Sequence, residues 1–186
     1  YYAFFFFFFG LKTGQRADQV KDRIESIDPD CDVCILSHYD DESAQYLNVF
    51  EQGNRHQPGL MDAVARFFVE IGIPHDPRKL VNTTQDAIFC NFFAAKPAFW
   101  RAWLDLNEKL FAIAENRVGI LADELNRGVP YSGIQVPMKV FIMERMASFL
   151  LCTDRRWRTA VKDPFQPPFA RFDNERFRDE LVGFDA

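Results

Sequence analysis

The stretch RADQVKDRIESIDPDCDVCIL, residues 16–36, decides the fold class. Val20, Ile24 and Ile27 recur at helical spacing, and Asp28–Pro29 stops the helix. Val33–Leu36 is then a short apolar run of strand length. Ahead of them, Phe4–Phe9 is apolar enough for a buried strand, and Gly10–Gly14 reads as a turn. Strand, helix, strand is the unit of a parallel sheet, so the sequence predicts an α/β fold.

Beyond Leu36 the chain turns polar. Residues 37–58, SHYDDESAQYLNVFEQGNRHQP, follow the carboxyl end of the second strand, the end at which open α/β sheets bind ligands. From Gly59 to Ile71, Leu60, Ala63, Val64, Phe67 and Phe68 trace one helical face, with Gly72 as the stop. AIFCNFFAA, residues 87–95, reads as a buried strand with one polar member, Asn91. Pro97 opens a long helix that reaches Arg127 on a stripe of Trp100, Trp103, Asn107, Phe111, Ala114, Val118, Leu121 and Leu125. The expected division is one α/β domain over residues 1–153, the C-terminal part of a longer domain, and an extended polar and aromatic tail over 154–186.

The run VPMKVFIMERMASFLL, residues 136–151, is a core helix interrupted by Glu144 and Arg145. Adjacent helical positions point about 100° apart, so one wet stripe cannot hold both. At least one must be buried and hydrogen-bonded, because an unpaired buried charge costs several kcal/mol. Two explanations follow. The pair is a structural staple between helices, or it lines a polar ligand pocket.

Composition narrows the function. With 186 residues, 48% hydrophobic and 26% charged, the chain can bury one real core. A net charge of −5 with scattered basic residues argues against a nucleic-acid partner. No apolar run reaches the length of a membrane span and no secretory leader is legible, so a cytoplasmic protein is expected. Of four cysteines only Cys31 and Cys34 form a CxxC pair, too little for a zinc site, and Cys90 and Cys152 stand alone. The six consecutive phenylalanines are an aggregation hazard when exposed, and no function is read from them. GLKTG at 10–14 lacks the spacing of a phosphate loop.

DVCILSHYDD at 32–41, QGNRHQPGL at 52–60, CNFFAAKPAFWRAWLDLNEKLF at 90–111 and KVFIMERMASFLL at 139–151 occur in an order that resembles the C-terminal half of bacterial GT-A-like glycosyltransferases of surface-polysaccharide synthesis. The resemblance implies a partial GT-A-like (Rossmann-like) sheet flanked by helices, with an extended C-terminal arm. It implies sugar transfer from a nucleotide-sugar donor to a glycan acceptor, with Mg²⁺ or Mn²⁺ held by carboxylates. The literal DxD, Asp30–Cys31–Asp32, precedes its strand, whereas Asp40 and Asp41 stand just past one, where two carboxylates could hold the cation beside a diphosphate. On this reading Asp40 and Glu144 are catalytic, and His38, His56, Asn91 and Arg145 are substrate contacts. The alternative is a non-catalytic binding or assembly module whose Phe-rich strand and aromatic tail, with Phe165, Phe169, Phe172 and Phe177, are protein interfaces.

Overall fold

The computed structural model describes residues 1–3, 9–37 and 40–161. Its elements in chain order are β1 (Tyr2–Ala3), α1 (Phe9–Thr13), α2 (Ala17–Ser26), β2 (Val33–Ile35), α3 (Asp40–Gln45), α4 (Val49–His56) and α5 (Leu60–Glu70). After a 3-10 turn at Pro77–Lys79 come β3 (Phe93–Ala95), α6 (Pro97–Asn116), α7 (Ile120–Asn126), β4 (Gly128–Tyr131), β5 (Ile134–Pro137), α8 (Met138–Thr153) and β6 (Thr159–Ala160). The fold is mixed α/β.

The main sheet has the order β1-β3-β2-β6. Both β1 and β2 pair antiparallel with β3, so they run parallel to each other, and β6 adds to β2 in parallel. A parallel pair flanking an antiparallel strand is thus present, but its first member is Tyr2–Ala3 and not the expected Phe4–Phe9 run, and residues 10–13, expected as a turn, are helical. Each strand is short, and alternation divides it between two faces. Cys34, Leu36, Phe92 and Ala94 pack with Phe9 and Val20 on the side of α1 and α2. Val33, Ile35, Phe93 and Ala95 pack with Phe99, Ala147 and Leu151 on the side of α6 and α8. Beyond that layer α4, α5, α6 and α8 share a larger helical core that includes Phe50, Phe67, Leu110 and Ile142.

Amphipathic periods are realised where they were cleanest. In α5, Leu60, Ala63, Val64, Phe67 and Phe68 are buried, and Gly72 takes the left-handed conformation just past the end. Several expectations need correction. Phe9 belongs to helix α1, not to a strand, and Phe4–Phe8 lie outside the described residues. The segment 37–58 is largely helical, because buried Asn48 caps α4 by accepting from the Phe50 and Glu51 amides. The helix expected over 97–127 breaks after Asn116, with Arg117 and Gly119 both at positive φ, and Asn126 donates to the orphaned Ala114 carbonyl. Its buried residues are Phe99, Leu106, Asn107, Leu110 and Ala114, so Asn107 and Ala114 of the expected stripe are buried while Phe111 and Val118 are exposed. Val136 and Pro137 belong to a β4–β5 hairpin turning at Ser132–Gly133, both at positive φ, and the helix starts at Met138. The domain also runs past residue 153, since β6 completes the sheet, and residues 162–186 lie outside the described residues.

The expected strand 87–95 is reduced to Phe93–Ala95. Side-chain hydroxyls replace ladder partners upstream: Ser148 Oγ accepts from Ile88 N at 2.8 Å and Ser37 Oγ from Phe89 N at 3.2 Å. The chain then reverses at Cys90 and Asn91, with φ of 57° and 54°, closed by Phe92 N donating to Phe89 O. Asn tolerates that conformation; Cys is strained in it.

Candidate functional site at the carboxyl edge of the sheet

Because β3 is antiparallel to β2, the 89–92 turn stands at the carboxyl end of β2, where Leu36 N and Ser37 N both donate to Phe92 O. The same edge receives α1. Gln15 Nε2 donates to Leu36 O at 3.0 Å, and Phe9 meets Phe92 edge-on with centroids 5.0 Å apart. These contacts bring Lys12 of α1 to Cys90, with Nζ donating to Sγ at 3.4 Å.

Helix α8 closes the edge with Glu144 and Arg145, and the two behave differently. Arg145 is 8% exposed. Its Nε donates to Val49 O at 2.8 Å, Nη1 to Phe141 O at 2.6 Å and Nη2 to Gln52 Oε1 at 2.8 Å. The guanidinium lies flat on Gly53, where a Cβ would come within 2.3 Å of Nε. Arg145 is thus a brace between α8 and α4. Burial pulls its pKa below the ordinary value, against the pull of Glu144, Cys90 and Glu42, and the group stays charged.

Glu144 makes only a loose ion pair with Arg145, at 3.8 Å, and keeps 36% of its side chain exposed. Burial raises its pKa, opposed by the charges of Arg145 and Lys12. Burial and then the Glu144 charge also raise the Cys90 thiol, opposed by Lys12. Lys12 is itself lowered by burial, but Cys90, Tyr131 and Glu144 outweigh this and raise it. The charges of Lys12, Cys90 and Glu144 act on one another, and Tyr131 of the hairpin, whose ring packs on Phe141, also acts on Lys12.

The predicted residues divide accordingly. Glu144 and Arg145 come together at this edge with the turn that carries Asn91. His56 is exposed in the last turn of α4, and no hydrogen bond or ion pair among the described residues ties it to the cluster. His38 lies outside the described residues, as do the side chains of Asp40 and Asp41, whose backbone opens α3 just beyond β2. The DxD of Asp30 and Asp32 sits at the opposite end of β2. There Arg158 Nη1 donates to Asp30 Oδ2 at 3.0 Å, its amide donates to Asp32 Oδ2 at 3.1 Å, and Lys96 lies 3.7 Å from Asp32, fastening β6 to the sheet. Cys31 and Cys34 are buried free thiols. Among the described residues no group of three His, Cys, Asp or Glu side chains is placed to hold a metal.

Sequence reasoning passed over Lys12, Glu42 and Cys90. The last stands next to Asn91 in the quoted motif; the other two carried no local signal. No family model matches the chain, and neither a curated protein nor a solved structure matches it. Among the described residues no helix is long and apolar enough to cross a membrane.

Proposed function

We propose that this edge is the active site of a sugar transferase that takes a nucleotide-sugar donor and a glycan acceptor. The observation that carries the reading is Glu144, a half-exposed carboxyl held only loosely by Arg145 at 3.8 Å, at the sheet edge where Lys12 Nζ meets Cys90 Sγ at 3.4 Å; burial raises its pKa. Each part has a role in that chemistry. Glu144, a stronger base than an ordinary carboxylate, takes the proton of the acceptor hydroxyl as that oxygen bonds to the anomeric carbon and the nucleoside diphosphate leaves. Lys12 offsets charge on the departing diphosphate. Arg145 holds the α8 backbone that presents Glu144, so its role is positioning. We assign Asp40 and Asp41 to Mg²⁺ or Mn²⁺, for which an all-oxygen donor set suits; bound there, the cation would neutralise diphosphate oxygens. The GT-A-like character of the sheet belongs to the same proposal.

Titration calorimetry with a nucleoside diphosphate tests it. Binding is expected that depends on Mg²⁺ or Mn²⁺ and loses that dependence in Asp40→Asn, while Glu144→Gln retains nucleotide binding and loses turnover. A wild-type protein that binds no nucleotide with either cation overturns the proposal. The rival reading, an assembly module, rests on Tyr131, Ile134 and Val140, which are 44%, 63% and 41% exposed. A self-associating or partner-bound protein with no nucleotide affinity would establish it instead.

A further inference from the structure

The four thiols differ in what their sulfurs meet. Cys31 and Cys34 are buried, and Cys152 donates to the Phe149 carbonyl at 3.4 Å. Cys90 is half-buried and its sulfur accepts instead, from Nζ of the exposed Lys12 at 3.4 Å. Both ends of that contact are fixed. Phe9 at the start of α1 packs edge-on against Phe92, and Gln15 just past its end donates to Leu36 O at 3.0 Å, so the helix that carries Lys12 is pinned on both sides. Cys90 is presented by a tight turn, at φ 57°, closed by Phe92 N donating to Phe89 O. A primary amine and a thiol sulfur are thus held in contact within reach of solvent.

We infer that Lys12 and Cys90 are an oxidative cross-linking pair, joined by a covalent S–N bond when a peroxide reaches this edge. In the first step hydrogen peroxide transfers one oxygen to the Cys90 sulfur, its O–O bond breaks, one water leaves and a sulfenic acid forms. The neutral Lys12 amine then attacks that sulfur, the S–O bond breaks, and the departing hydroxide takes the amine proton as a second water. One thiol, one amine and one peroxide give the sulfenamide and two waters; sulfur is oxidised by two electrons and the peroxide is reduced by two. A small thiol reverses the link, returning cysteine and amine and leaving its own disulfide. Peroxide attacks the thiolate, and burial and then the Glu144 charge raise the Cys90 thiol, against Lys12 and Arg145, so the first step is slow near neutral pH and quickens as pH climbs. The chemistry needs neither nucleotide nor glycan and stands apart from the sugar-transfer reading. It is a modification site that ties α1 to the 89–92 turn across 78 residues of sequence.

Treatment of the whole chain with hydrogen peroxide, followed by tryptic peptide mass spectrometry without reductant, tests it. In the wild type the peptides carrying Lys12 and Cys90 should appear joined, two hydrogen atoms lighter than their sum, with cleavage after Lys12 blocked. The yield should rise several-fold from neutral to mildly alkaline pH, and dithiothreitol should restore the separate peptides. Lys12→Arg keeps the positive charge and lacks the attacking amine, so the joined species should vanish and Cys90 should pass on to sulfinic acid. A wild type whose Cys90 is oxidised to sulfinic acid, paired with another thiol or left reduced, while Lys12 is cleaved normally, overturns the pair. A joined species of the same mass change persisting in Lys12→Arg overturns it too. The wild-type outcome does not depend on how the variant folds.

Discussion

Two buried polar regions flank α8, and they are built on opposite terms. On one side Asn48 caps α4 and donates to Pro77 O and Leu80 O, Asn82 accepts from Val49 N at 3.0 Å, and Asp86 accepts from Asn82 Nδ2 and Thr83 N. Arg145 adds three further bonds, and Cys152, whose pKa is pushed up to about 12 chiefly by burial, is an inert neighbour. On the other side Oε2 of Glu42 and Oδ1 of Asn91 are buried without a hydrogen bond among the described residues, and Glu144 has a loose ion pair to Arg145 at 3.8 Å. Satisfied networks fix a fold, whereas unsatisfied ones are retained against their cost. The first region is the frame, and the second is where a ligand has something to add.

Substitutions on the two sides should separate them. The largest loss is expected from Arg145→Met, which removes the bonds that tie α8 to Val49 O and Gln52 Oε1 of α4 and leaves Glu144 without its counter-charge. Urea denaturation should show about 3–5 kcal/mol less stability. Gly53→Ala attacks the same brace from α4 and should lower Tm to a similar extent. Asn48→Ala removes a cap and two cross-links, and about 2 kcal/mol should be lost by the same measurement.

Glu144→Gln belongs to the other region and should leave stability near neutral pH unchanged or higher, with turnover abolished. A carboxyl whose folded pKa is raised binds its proton more tightly folded than unfolded, so stability falls as pH climbs from the ordinary carboxylate range through the raised value. Melting curves across that window should show the wild type falling and Glu144→Gln lacking that component. A wild-type curve parallel to the variant's would erase the contrast drawn above. The smallest effect is chemical: Cys90 alkylation by iodoacetamide, followed by peptide mass spectrometry, should quicken several-fold in Glu144→Gln and slow in Lys12→Met.

Sequence periodicity revealed α2 and α5, whose apolar faces are amphipathic and whose ends are marked by Asp28–Pro29 and Gly72. It placed Val33–Leu36 and the end of 87–95 in one sheet. It missed the β4–β5 hairpin, although Ser132–Gly133 is the two-residue turn such a hairpin requires, because its strands GVPY and IQVP are four residues each, mostly exposed, and lack apolar alternation. Arg145 was legible as a charge in need of burial, but its partners on α4 lie up to 96 residues away in sequence. Lys12 and Cys90 are 78 residues apart and meet only because α1 and the 89–92 turn share one sheet edge. Glu42, on a short polar helix, looks in sequence like any solvated side chain; its orphaned oxygen exists only once the helix is folded against its neighbours.

The insertion of β3 between β1 and β2 governs how the chain is made as well as how it stands. Residues 2–3 and 33–35 emerge from the ribosome long before residues 93–95, which among the described residues form the strand that pairs with both. Until then β2 lacks both of its ladder partners among the described residues, since β6 follows later still, at residues 159–160. Strand pairing of such sequence separation is slow, and an unpaired apolar strand is the species that aggregates. A ribosomal pause between residues 36 and 95 is therefore expected to prolong the exposure of β2.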